Sequence, residues 1–397
     1  MLQQIANTDI QTGIITGDRL AANIAIPVIT GANSINFSDG TVMGSGYSLG
    51  MRNRIINGSM GIDQRNSGAS VTNTTITNYT VDRWNCVGTT SSKFTVQQNA
   101  GSVTPPPGTT NYLGITSSSS YTLGTNEYFS VAQVIEGLNI ADLNWGTANA
   151  KTVTLSFQVY SSLTGSFGGS IQNYAENWMY SFAYTVSSAN TWTPITVTIP
   201  GPTSGTWNTN NSGGMYVWFG LGANGTRVGT AGAWGNQSTS GLQPTGTISL
   251  VGTSGATLYI TLVQLERGTI ATPFDYRDYG RELIMCQRYY EQWYWPSGGG
   301  GYVGGGIGMA WGTGQARIQI QYEVVKRAPP TCSVTGTISW QDSVSVFTQT
   351  SFIFDAPTIN TTLLYGVISP TSATAGRAMQ AYASTSSALT ISFNSEL

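Results

Sequence analysis

Histidine is absent from all 397 residues, which removes imidazole bases, Ser-His-Asp and Cys-His nucleophile systems and histidine metal sites. Hydrolases and metalloenzymes of familiar design go with it. Cysteine is scarce: Cys86, Cys286 and Cys332 are odd in number, far apart and without paired spacing, so they offer neither a disulfide framework nor a zinc site. That usage fits maturation in a reducing compartment. Charge is scarce too. Only 9% of residues are Asp, Glu, Lys or Arg, against about 25% in ordinary soluble domains, and lysine occurs only as Lys93, Lys151 and Lys326. Solubility therefore falls to hydroxyls and amides. A net charge of −2 gives no basic field for neutralising phosphates, so nucleic acid is not an expected partner. Arg52, Arg54 and Arg65 form one loose basic cluster, interrupted by apolar and turn residues, and are read as structural. Long apolar runs are missing as well. Nothing approaches the roughly 18 residues of a membrane span, and M1-L-Q-Q-I-A-N-T-D has no charged region leading into an apolar core. Neither membrane insertion nor a signal peptide is expected.

What is present is short strands. From Met51 to Pro273 the chain alternates runs of four to eight residues with turn clusters; expected strands are Lys93–Gln98, Tyr128–Glu136, Thr152–Ser161, Met179–Val186, Thr193–Ile199, Gly214–Gly222, Thr247–Leu250 and Thr257–Leu265. In T152-V-T-L-S-F-Q-V-Y the apolar residues Val153, Leu155, Phe157 and Val159 fall on one face, and Leu258, Ile260 and Leu262 do the same further on. Such strands without intervening helices predict an all-β chain with an antiparallel jelly-roll sandwich. Asp278 is placed to cap a short helix with Glu282 in its first turn and Leu283, Cys286 and Tyr290 on one face. Beyond it ten glycines fall within Pro296–Gly314, a density no packed helix survives. The last hundred residues return to β alternation in A316-R-I-Q-I-Q-Y-E-V-V, T331-C-S-V-T-G-T-I-S-W and L389-T-I-S-F, predicting a smaller C-terminal β-sandwich. Residues 1–50 are short apolar islands that cannot bury their own faces and need a partner. The expected organisation is a 1–50 N-terminal segment, 51–277 jelly roll, and 278–397 short helix, Gly-rich loop and C-terminal β-domain.

Five ordered segments, N53-R-I-I-N-G-S-M-G-I-D-Q-R, Y79-T-V-D-R-W, V134-I-E-G-L-N, V263-Q-L-E-R-G-T-I-A-T-P-F-D-Y-R and E282-L-I-M-C-Q-R-Y-Y, together resemble the β-sandwich region of bacteriophage tail fibre and receptor-binding proteins. Segments such as I-T-G-D-R-L-A-A-N resemble the connecting repeats of such fibres. The resemblance implies a jelly roll of carbohydrate-binding-module type and a virion adhesin that is homotrimeric. It also implies attachment through residues 1–50 to another tail or baseplate protein, and binding of host surface polysaccharide or lipopolysaccharide. Synthesis in the host cytoplasm and release by lysis fit the missing export signal.

No G-x-x-x-x-G-K-[ST] loop occurs, and the glycine tract is not set between a strand and a helix, so no nucleotide site is read. Glycosidases need only two carboxyls about 5 to 9.5 Å apart, which keeps a polysaccharide depolymerase as the rival function. Glu136 in V-I-E-G and Glu266 in Q-L-E-R-G are its candidates, but both are read first as turn-holding groups with Arg83 or Arg267 as partners. A purely structural fibre or decoration protein is the third reading. No catalytic residue, cofactor or metal is assigned; the N208-T-N-N cluster has oxygen ligands but no EF-hand spacing. Aromatic rings carry the stronger signal, since sugars stack their C–H faces on Trp and Tyr. Trp207 in S-G-T-W-N-T-N-N and Trp234 in A-G-A-W-G-N-Q lie in polar, Gly-rich stretches, where stacking on glycan and anchoring a loop are both open. Trp293 and Trp295, flanking Tyr294 in E291-Q-W-Y-W-P-S, are the second candidate glycan-stacking pair, with packing between chains of a trimer as the open alternative. Trp84, Trp192 and Trp218 fall at strand positions and are expected in the core.

Overall fold

The alternation in residues 152–160 becomes the strand Val153–Ser161, with Val153, Leu155, Phe157 and Val159 buried in one core. A computed structural model of the chain describes residues 51–236, 241–297, 306–349, 351–383 and 388–397, with the backbone of Ser34–Asn36 and Val42–Gly44. Two units result, Met1–Ser48 and Leu49–Leu397. In the first, the two short strands pair antiparallel with Ser34 opposite Gly44. The rest of the expected attachment segment, and residues 298–305 of the glycine tract, lie outside the described residues.

The second unit is all β apart from one α-helix and a few single turns of 3-10 helix among the described residues. One sheet has seven strands in the order Trp234–Gly235, Met179–Val186, Gly165–Asn173, Gly213–Ala223, Tyr128–Glu136, Trp84–Gly88, Asn78–Tyr79. The other has six: Thr193–Ile199, Val153–Ser161, Thr257–Arg267, Leu113–Ser117, Phe94–Gln98, Val71–Thr72. Inward side chains from both, including Trp84, Phe157, Phe219 and Leu258, share one core. Three expectations change. Residues 247–250 are not a strand but lead into a 3-10 turn, Leu250–Gly252. The strand Gly165–Asn173 was hidden by its glycines, yet a Cβ on Gly169 would sit 2.1 Å from the Trp218 carbonyl oxygen and one on Gly168 2.5 Å from Pro244. Covering on both faces demands glycine there. In Thr257–Arg267 a bulge between Thr261 and Gln264, with Leu262 at φ 52°, moves the inward face from Leu258 and Ile260 to Val263 and Leu265. Leu262 is thereby lost from the expected face, and Gln264 and Glu266 turn to the other side.

The C-terminal domain corrects the expectation of a second sandwich. Its main sheet runs Gln315–Gln321, Ile307–Gly312, Ala378–Ala383, Ile338–Gln341, Val346–Gln349, Thr361–Ser369, Ile353–Asp355. Because Gln315–Gln321 also pairs with Thr361–Ser369, the sheet closes on itself as a barrel-like domain. Its core holds Trp340, Phe347, Leu364 and Ile368. A three-stranded sheet, Tyr290–Trp295, Leu389–Asn394 and Thr331–Thr335, packs with it.

Between the two lies the helix Tyr279–Gln287, capped by the Asp278 carboxylate, which accepts from the Arg281 amide at 2.9 Å. Leu283 and Cys286 face a small core with Ile56, Ile62 and Tyr289. Tyr290, expected on that face, is instead the first residue of the next strand, and Tyr289 takes the place.

Candidate functional site

The tryptophans singled out by sequence are mostly built in. Trp207 is 8% exposed, and its ring lies edge-on to Trp145 at 4.7 Å and to Trp234 at 5.6 Å. The three indole N–H groups donate to the carbonyls of Ser204, Lys151 and Pro200. This trio ties loops 143–151 and 200–207 to the short strand carrying Trp234, leaving almost no face of Trp207 for a ligand. Trp234 is half-buried. Trp293 and Trp295 do share one face of Tyr290–Trp295: Trp295 stands in the barrel core and Trp293 packs on it, while Tyr294 is 63% exposed. Trp84 and Trp218 are buried, the latter on the outer face of its sheet. Trp192 is corrected: it is half-buried outside the sandwich, against Tyr112 and Tyr160, with its N–H on the Thr104 carbonyl.

The two candidate acids lie in different sheets and are both buried. Glu136 accepts from Arg288 at 2.7 and 3.0 Å and from the Tyr289 hydroxyl at 2.6 Å. Its partner is Arg288, not Arg83 or Arg267. Burial pushes the Tyr289 phenol up to about 12, so it remains a donor at neutral pH. Glu266 accepts from the Thr272 amide (2.8 Å) and hydroxyl (2.7 Å) and from Gln264 Nε2 (2.9 Å). Gln264 Oε1 in turn accepts from the Asp275 amide at 2.7 Å. The Q-L-E frame thus shapes the turn after its strand. What that turn presents is an open cleft of about 580 Å³, missed by the sequence reading.

The cleft is built on three of the five quoted segments, those beginning at Asn53, Val263 and Glu282, together with residues 108–111. Asn53 holds its loop against the bulged strand, accepting from the amides of Ile55 (2.9 Å) and Leu265 (3.1 Å) and donating to the Val263 carbonyl (3.1 Å). Gly58 lets the loop press there, since a Cβ would meet the Val263 oxygen at 2.2 Å. Arg277 bonds the carbonyls of Asn53 and Ile55 and the Glu282 carboxylate. On this frame stand Phe274 and Tyr276, edge to face at 4.9 Å, and Tyr279. Tyr276 is 57% exposed and Tyr279 68%. The Tyr276 hydroxyl lies over Gly108, whose φ of +90° and missing side chain make room for it. Ser59, Thr109, Thr110 and Asn111 supply hydroxyl and amide groups on the rim. Both lining carboxylates are engaged, Asp275 with Arg52 at 3.1 Å and Glu282 with Arg277 at 3.2 Å. The signal available in sequence was P273-F-D-Y-R-D-Y, where aromatics alternate with charges between a strand and a helix cap.

Among the described residues no group of three or more His, Cys, Asp or Glu side chains could hold a metal ion. In the Asn cluster at 208–211, Asn208 donates to the Gly213 carbonyl, Asn210 accepts from Ser212, and Asn211 exchanges hydrogen bonds with Arg327.

No protein-family model matches the chain, and no curated protein matches its sequence. Among solved structures it is similar to the enzymatically active domain of bacteriophage CBA120 tailspike protein 4, at 10% identity and a TM-score of 0.30 over 54% of this chain. That match spans only 21% of the tailspike chain. It is similar to the carbohydrate-binding module TmCBM61 in complex with β-1,4-galactotriose, at 11% identity and a TM-score of 0.28, over 55% of this chain and 99% of that one. A family 11 carbohydrate-binding module from Clostridium thermocellum, in complex with a mixed-linked tetrasaccharide, matches at 12% identity and a TM-score of 0.25, over 48% and 91%. At these scores no fold assignment and no residue role passes to this chain.

Proposed function

We propose that this chain is a non-catalytic, glycan-binding structural protein of a phage tail fibre, working in several copies. The observation that carries the reading is the cleft: two exposed tyrosines and a phenylalanine, held by a rigid frame and rimmed by hydroxyls and amides. Such rings take the apolar faces of sugars while the rim reads their hydroxyls. The fibre assignment rests on the resemblance of the five segments, and a homotrimer held through residues 1–50, docked on a tail or baseplate protein, belongs to the same proposal. Binding without turnover is supported by the state of the acids. Buried in separate sheets, Glu136 is tied to Arg288 and Tyr289 and Glu266 holds a turn, and each cleft carboxylate already accepts from a guanidinium.

The test is binding of the purified chain to host surface polysaccharide, with Tyr276→Ala and Tyr279→Ala compared with the parent. Each variant should bind about fivefold more weakly, the equivalent of about 1 kcal/mol of stacking, with unchanged thermal stability. Unaltered binding in both would remove the cleft from the site. New reducing ends or unsaturated sugars in the incubated polysaccharide would replace the adhesin by a depolymerase.

A further inference from the structure

A second surface carries an unusual set of polar groups. On the outer face of the seven-stranded sheet, strand alternation places Asn85, Ser130, Ala132, Trp218, Ser170 and Gln172 side by side, with Asn85 opposite Ala132, Ala132 opposite Trp218 and Trp218 opposite Ser170. Residues 241–245 cross this face: Leu242 packs on Val87, Ala132 and Trp218, and Gln243 and Pro244 lie against Gly220 and Gly168. Beneath them on the sheet, Asn85 Oδ1, Ser130 Oγ, Ser170 Oγ and Gln172 Nε2 are buried without a hydrogen-bond partner, as is Gln243 Oε1 on the crossing segment itself. Each of these residues is at most 2% exposed. An orphaned buried polar atom is costly, and native proteins keep few. Four on one sheet face, with a fifth on the segment above them, exceed what a folded interior ordinarily leaves unpaired.

We infer that this face is a second binding site, for a neutral, hydroxyl-rich ring such as one sugar unit, closed in this structure by the strap 241–245. The class follows from the donor and acceptor set. On the floor one amide oxygen accepts, one amide nitrogen donates, and two hydroxyls do either. An anion would meet too few donors and a cation too few acceptors, whereas vicinal sugar hydroxyls each donate and accept. No charged side chain is among the five. A ring stair leads to the site: Tyr174 stacks on Tyr216 at 5.6 Å, Tyr216 on Trp218 at 4.9 Å, and the Trp218 N–H holds Gln172 Oε1 at 2.9 Å. That last bond aims the free Gln172 amide nitrogen. The strap can part from the floor as a unit because its ladder is internal. Val228 and Gly229 pair with Gln243 and Pro244, and Leu242 bonds the Arg227 carbonyl. Among the described residues its hydrogen bond to the floor is from Ser181 Oγ to the Gly241 carbonyl.

The full chain carrying Tyr276→Ala and Tyr279→Ala removes the open cleft from the readout, so failure here and failure of the cleft are distinguishable. In that background Leu242→Gly, with Leu242→Ser as the milder opening, is titrated calorimetrically with gluco-, galacto- and mannotetraose and with a tetrauronate. The expected result is at least tenfold tighter binding of a neutral tetraose than in the Leu242 parent, with no gain for the tetrauronate. Adding Ser130→Ala with Ser170→Ala should abolish that gain while leaving the melting temperature unchanged or higher. No gain in either Leu242 variant, a gain indifferent to the two serines, or a lower melting temperature on removing the hydroxyls would each overturn the site. The last would show that they are partnered already and serve the fold.

Discussion

A tryptophan set among glycines and asparagines can be a platform or a peg, and only its neighbours in space decide. Trp207 and Trp145 come from separate loops and Trp234 from a short strand, which no local pattern links, so their closed trio was not legible. Tyr276 and Tyr279 look equally ordinary in sequence, yet they stand out because the Glu266–Thr272 turn and Arg277 leave them nowhere else to go. Urea denaturation separates the two kinds of ring. Trp207→Ala should cost about 3–5 kcal/mol as a large buried truncation, and Tyr276→Ala less than about 0.5 kcal/mol. Equal losses would mean that the cleft tyrosine is a packing residue. Asp82 offers a second residue-scale test. Burial, opposed by bonds from Gln64 and by Arg65, pushes its carboxyl up to about 6. A folded pKa above the unfolded one means that its contribution is fully present below about pH 4 and fades as pH rises through about 6. The stability difference between wild type and Asp82→Asn should therefore shift against the wild type by roughly 2–3 kcal/mol between pH 4 and 7. Parallel pH curves would show that Asp82 ionises as readily folded as unfolded.

At the scale of elements, the long alternating strands were the legible part. Tyr128–Glu136, Met179–Val186 and Thr193–Ile199 are found with the expected bounds. Strands whose inward positions carry glycine, or that are closed over on their outer face, were not, because the two-residue apolar rhythm is then absent. Nor could local pattern show how the barrel is fastened to the sandwich. There, Glu396 accepts from Arg65 at 3.1 Å and from Arg83, while Arg83 also donates to the Val134 carbonyl at 2.6 Å and lies over the Tyr289 ring at 3.6 Å. Arg65 stacks on Tyr290 at 3.6 Å, and Arg327 bonds the carbonyls of Ser395 and Glu396. The Arg65 and Arg83 of the quoted motifs therefore serve a joint formed with residues more than 300 positions away. Removing one member of a buried ion group strands the others, at about 3–5 kcal/mol. Glu396→Ala should lower stability by that much by chemical denaturation, and Glu396→Gln by clearly less because its amide oxygen still accepts. A loss below about 1 kcal/mol in Glu396→Ala would mean that the two guanidiniums find water when the joint loosens.

For the molecule as a whole, scarcity of charge is both the plainest fact of the sequence and the one with the widest consequence. With 34 ionisable Asp, Glu, Lys and Arg among 397 residues (16 basic and 18 acidic), fifteen of them joined in nine ion pairs among the described residues, charge is too sparse to steer or hold a partner strongly. Under the proposed function, adhesion by such a surface would rest on ring stacking and neutral hydrogen bonds, which are individually weak. Copy number then decides the strength: simultaneous engagement raises avidity by about 10² to 10⁴ without any new contact. Two measurements join these ideas. Retention on immobilised host polysaccharide should exceed the single-site affinity for a soluble oligosaccharide by that factor, and a chain beginning at Met51 should lose the excess while keeping the single-site value. Both affinities should also change less than about twofold between 50 and 500 mM NaCl, where the Debye length falls from roughly 14 to 4 Å. A steep loss with salt would show that charge, not aromatic surface, holds the glycan, and would break the argument from composition to adhesion at its first step.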